Sequence, residues 1–210
     1  MPRKLYFSLL HNLLLKIVVP FFIASGIFLL VTPNSWYLDW FFPRLTGVGA
    51  LFDATIILAP FLIFRIDRSS TPEVITRQRR SRTRLQNYIA ICALLGFAGT
   101  LGLFQLNFSY DKLIHFVIHF LFAIALSRFI YRWKDVSLER AIGITIFFLL
   151  ATGTLWELLE FASDNIFGTA AFGIHGQQIF IDTVFDGALD VFGIITGIVA
   201  VKLRKKPWPY

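Results

Sequence analysis

The chain has 210 residues, 56% of them hydrophobic and only 16% charged, with a mean hydropathy of +0.67 and a net charge of +7. This composition excludes an ordinary soluble domain and points to an all-α polytopic membrane protein, a single integral membrane domain over 1–210 with about six spans and short loops. The basic residues lie in short segments between apolar runs, a topology pattern that argues against nucleic acid as a partner, and the single Cys92 excludes an intrachain disulfide or a cysteine metal site.

Arg3, Lys4 and Lys16 surround the start of the first apolar run. The run is long and no small-residue cleavage site follows it, so it reads as a transmembrane helix over about 12–31 rather than a signal peptide. Pro20 and Gly26 within it are tolerated in lipid. Trp36, Tyr37, Trp40, Phe41 and Phe42 then suit the headgroup level, where amphipathic rings prefer to sit. The second span, about 45–64, carries Asp53 near its middle. The segment 65–84 holds Arg65, Arg68, Arg77, Arg79, Arg80, Arg82 and Arg84 and reads as a basic cytoplasmic loop. The third span, about 88–106, is uncharged.

The fourth span, about 112–130, opens on Asp111-Lys112-Leu-Ile-His115-Phe-Val-Ile-His119. The fifth, about 141–161, closes on Trp156-Glu157-Leu-Leu-Glu160-Phe-Ala-Ser-Asp164. A link containing His175 and no Lys or Arg follows. The sixth, about 183–201, begins with Asp182, Asp186 and Asp190, four residues apart, which places them on one helix face, each about 6 Å beyond the last.

With six spans, the four basic segments fall on one side, which predicts both termini in the cytoplasm of a plasma or inner membrane. The spans then alternate in direction. At about 1.5 Å per residue, the ladders Asp111–His115–His119, Asp164–Glu160–Glu157 and Asp182–Asp186–Asp190 reach matching depths near the extracytoplasmic face. Asp53 enters at a depth similar to Asp190 or slightly lower. Lys112, with Arg44 further off, is the local basic side chain, so ion pairing with protein cations cannot neutralise eight carboxylates. A dry pocket of unpaired anions costs several kcal/mol apiece, so the set calls for protons, water or a metal cation. Mixed imidazole and carboxylate donors suit Zn, Mn or Fe; carboxylates alone suit Mg or Ca.

The string Tyr110-Asp111-Lys112-x-x-His115-Phe116, the Glu157-x-x-Glu160 pair and Asp182-x-x-x-Asp186 resemble the YjdF-like family of uncharacterised multi-pass membrane proteins. The Asp-Lys-x-x-His-Phe start is more distantly similar to VanZ-like proteins. The resemblance covers roughly Tyr110 to Gly197 and implies a multi-pass membrane fold without supplying a substrate. Where that family carries a Gly-Thr-Gln-Gly-like segment, this chain has Gly173-Ile-His175-Gly176-Gln177.

The expected site is a divalent metal cation held by His115, His119, Glu157, Glu160, Asp186 and Asp190, with Asp53, Asp111 and His175 as accessories. Such an ion activates water or polarises a phosphoryl or acyl oxygen. Asp182 or Asp164 would serve as general base, and Lys112 as the cation for an anionic substrate. Membrane lipids or a lipid-linked substrate reach such a site laterally. The first expected function is therefore a metal-dependent hydrolase or transferase. A cation- or proton-coupled transporter and a non-catalytic membrane scaffold are the alternatives.

Overall fold

In lipid every backbone polar group must find its partner within the segment, so apolar runs of this length become helices. The computed structural model describes residues 3–37, 41–66, 69–104, 108–167 and 179–203. Six long helices carry these residues: α1 (Arg3–Val31), α2 (Pro43–Ile63), α3 (Pro72–Ala98), α4 (Phe108–Lys134), α5 (Leu138–Phe167) and α6 (Ile179–Leu203). α2 and α3 start on proline, where the missing N–H would have no intrahelical partner in any case.

Among the described residues, five stretches are long and apolar enough to cross a membrane: Pro43–Ile63, Pro72–Leu103, Tyr110–Lys134, Leu138–Ala162 and Thr183–Leu203. α1 adds a shorter apolar stretch, Leu15–Val31, near the lower end of the length a span requires. The arginine-rich segment is helical from Pro72 onward, so Arg77 to Arg84 form the early turns of α3. Arg, Gln and Leu are strong helix formers, and no glycine or proline interrupts them. Beyond α3 the chain widens into a π turn over Gly99–Leu103, where Gly102 adopts φ 125°, a region that side chains on Cβ disfavour.

Packing divides the chain into two units, Met1–Phe97 and Ala98–Tyr210. In the first, α1 and α2 cross through Gly26 and Gly47; a methyl group on Gly47 would lie 2.9 Å from the Gly26 carbonyl oxygen. Phe97 sets its ring edge-on to Phe21 and Phe22, with centroids 5.8 and 5.3 Å away. The buried Gln86 Nε2 donates to the Ile57 carbonyl at 3.1 Å. Arg82 covers the end of α2, donating to the Phe64 carbonyl at 3.2 Å with its guanidinium 4.6 Å from the Phe61 ring centroid.

In the second unit α4 packs most intimately against α6. The two helices run parallel: Lys112 meets Asp186, His115 and His119 meet Asp190, and the Phe116 ring lies 5.5 Å from that of Phe192. Gly193 and Gly197 permit this approach. A methyl group on Gly193 would lie 2.5 Å from the Phe116 carbonyl oxygen, and one on Gly197 would lie 2.7 Å from Ala123 Cβ. Small residues let backbones approach in lipid, where the apolar surface has no water to escape. α5 returns antiparallel after a short turn in which Asp135 takes φ 52° and Ser137 Oγ caps the helix by accepting from Arg140 N at 3.2 Å. Ala123, Ile142, Leu149, Ile194 and Ile198 form the buried core of this trio.

Candidate metal centre

Asp111 to His119 occupy the first three turns of α4, Glu157 and Glu160 the later turns of α5, and Asp186 and Asp190 the early half of α6. The parallel–antiparallel arrangement brings these three segments to one end of the trio. This is the alignment that depth counting along the helices anticipates.

His115 is the hub. It is 7% exposed, and its Nδ1–H donates to Asp190 Oδ1 at 3.0 Å. The other nitrogen, Nε2, lies 3.9 Å from Asp111 Oδ1 and 3.9 Å from Asp186 Oδ1, with no hydrogen bond to either. One turn on, His119 Nδ1–H points between Asp190 Oδ1 at 2.7 Å and the His115 carbonyl at 3.0 Å. Asp190 is thus a shared acceptor that fixes both rings. A proton on each Nδ1 leaves both Nε2 atoms with a lone pair in the neutral tautomer.

Lys112 Nζ contacts both oxygens of Asp186, at 2.7 and 2.6 Å, and Asp111 Oδ2 at 3.1 Å. The Lys112 and Asp186 side chains are 13% and 5% exposed. The lysine that the sequence assigned to a substrate anion is therefore ion-paired within the cluster. Protein cations go further toward balancing these acids than expected, because a four-carbon stem reaches across from α4 to α6. Glu157 receives no hydrogen bond from them. Its Oε1 lies 3.9 Å from His115 Nδ1, and both of its oxygens are buried without a hydrogen-bond partner among the described residues. A buried carboxylate with no donor is costly and calls for a cation or a water.

Two overlapping sets have a metal-ligand arrangement: Asp111, His115 and Asp186, and His115, Glu157 and Asp190, with the donor atoms of each within 4.8 Å of one another. Asp111, expected as an accessory, takes part in the first. His119 belongs to neither and acts on Asp190. Glu160 is half-buried one turn beyond Glu157, within electrostatic reach of His115, Glu157 and Asp111. Asp53 is half-buried on α2 in the other unit. Asp164 and Asp182 lie on α5 and α6, but their side chains, like His175 as a whole, lie outside the described residues. Sequence reading missed Gly153 on α5. A methyl group there would lie 3.0 Å from Asp190 Oδ2 and 3.2 Å from His119 Nε2, so the carboxylate and imidazole rest against bare backbone. No sequence pattern distinguishes it from the nearby Gly143.

A chain whose described residues are all-helical, with five stretches long and apolar enough to cross a membrane and a buried His/Asp cluster that can hold a metal, is an integral membrane protein. Residues 10–206 match the family described as "Predicted membrane protein (DUF2238)", and the chain belongs to that family. The match supports the resemblance at the level of a membrane family; it does not carry the YjdF-like name and lends no support to the VanZ-like one. No curated protein and no solved structure matches the chain.

Proposed function

We propose that the α4–α5–α6 cluster is a divalent-metal centre near the extracytoplasmic face, serving hydrolysis or group transfer on a lipid or lipid-linked substrate. One observation carries the reading: the buried His115 is oriented by Asp190 through Nδ1 so that Nε2 faces Asp111 and Asp186. A carboxylate behind a histidine is the usual second layer of a metal site, fixing the ring and raising its basicity. Asp111, His115 and Asp186 are then the ligands. Glu157 supplies carboxylate for proton transfer to or from water. Bound there, a Zn²⁺, Mn²⁺, Fe²⁺ or Mg²⁺ ion would supply Lewis acidity and a low-pKa water. Leu155, Trp156, Leu158, Leu159 and Phe161 are exposed around Glu157 and give the site an apolar flank of the kind a lipid-borne substrate approaches.

Metal analysis of detergent-purified protein tests the site. The expected result is about one equivalent of divalent metal, lost in His115→Ala and Asp186→Asn. Metal content in the unmodified protein no higher than in His115→Ala would end the proposal. A second reading, cation- or proton-coupled transport, draws on the Lys112–Asp186 ion pair inside a span. Ion flux in proteoliposomes that disappears in Asp190→Asn would favour transport over the enzyme.

A further inference from the structure

Lys112 is ion-paired with two of the three residues of the first ligand set. Asp111, His115 and Asp186 present one donor atom each within 4.8 Å of one another. The Lys112 ammonium sits on two of these three residues, chelated by both Asp186 oxygens and touching Asp111. The third, His115, is nine-tenths buried and turns Nε2 toward the same two carboxylates without bonding either. A monovalent cation supplied by the protein thus already holds two of the three residues that a divalent ion would need. Two cations a few ångströms apart repel each other, so the ammonium and a divalent ion compete for Asp186. A lysine has four rotatable bonds and a compact charge, which lets it leave without backbone movement.

We propose that Lys112 is a built-in competitor for the metal centre. Its ammonium holds Asp111 and Asp186 in place while no ion is bound, and it must swing off Asp186 for a divalent cation to enter. This inference rests on the metal reading above and adds the regulation of that site: Lys112 sets the affinity threshold and the ease of release. It also gives the residue a positioning role in place of direct contact with substrate.

Equilibrium dialysis of Mn²⁺ and Zn²⁺ against the purified full chain tests it, comparing the unmodified protein with Lys112→Met and Lys112→Arg. The methionine variant keeps the length of the stem and removes the charge. Its Kd should be at least about tenfold lower than that of the unmodified protein, since a partly buried ion pair no longer has to break. Lys112→Arg, still cationic, should bind no more tightly than the unmodified chain. An unchanged or weaker Kd in Lys112→Met overturns the inference and leaves the metal centre standing. Binding by Lys112→Met alone, with none by the unmodified protein, upholds the competitor and removes the metal centre from the native chain. Absence of binding in both overturns both.

A measurement on the unmodified protein guards against a variant that fails to fold. Acylation of Lys112 by an amine-reactive reagent, read by mass spectrometry, should be at least about fivefold faster at saturating Mn²⁺, because the displaced ammonium is no longer paired. An unchanged rate overturns the inference.

Discussion

Asp190 and Glu157 are both carboxylates beside His115, yet the consequences of losing them should be opposite. Asp190 accepts from two imidazoles at 3.0 and 2.7 Å. In Asp190→Asn those rings lose their charged acceptor, and thermal unfolding in detergent should show a loss of about 1–3 kcal/mol. Metal affinity should fall about 10–100-fold, as it does when an outer-layer carboxylate is removed. Glu157 has no hydrogen-bond partner among the described residues, so Glu157→Gln removes a buried charge without breaking a bond. That variant should be unchanged or slightly stabilised in the same experiment. If chemistry at the centre uses Glu157, turnover should fall while metal content stays. A Glu157→Gln protein less stable than Asp190→Asn would show that the roles are assigned the wrong way round.

At the scale of elements, what places these side chains is how closely α4, α5 and α6 approach. Gly193 lies against the Phe116 carbonyl and His119 Cβ, so Gly193→Leu must push α6 away from α4. The cost should be about 1–3 kcal/mol of stability or more, with loss of the Asp190 contacts to His115 and His119. On α5, Gly153→Ala would crowd Asp190 and His119, whereas Gly143 has no atom within 4 Å of an added methyl group. Gly153→Ala should therefore lower metal affinity about tenfold and Gly143→Ala should leave it unchanged. Equal behaviour of the two alanine variants would mean that the close approach at Gly153 does not matter to the cluster. Charge pattern also behaved differently at this scale: five of the arginines expected in a loop, Arg77 to Arg84, are on the first half of α3, because helix propensity depends on the run of formers after Pro72 and not on charge.

For the whole molecule, the distribution of basic residues makes a directional prediction. In a Cys92→Ser background, a cysteine at the exposed Arg79 should react with a membrane-impermeant thiol reagent only from the cytoplasmic side. A cysteine at the exposed Trp36 should react only from the opposite side. The reverse labelling would put the acid cluster on the cytoplasmic face and remove the argument for an extracytoplasmic substrate. Membership of a membrane family agrees with the apolar helices.

Helical spans and the gathering of acids and histidines near one end of α4, α5 and α6 were legible without coordinates, because depth along a helix is local arithmetic at about 1.5 Å per residue. Rotation about each helix axis was not, since it depends on which small residues meet across the interface. Gly153, Gly193 and Gly197 turn Asp190 toward His115 and His119, and carry Asp186 to Lys112. Only the tertiary structure could therefore decide that Lys112 is an internal counter-cation, that Asp111 stands among the ligand donors, and that Glu157 has no hydrogen-bond partner among the described residues.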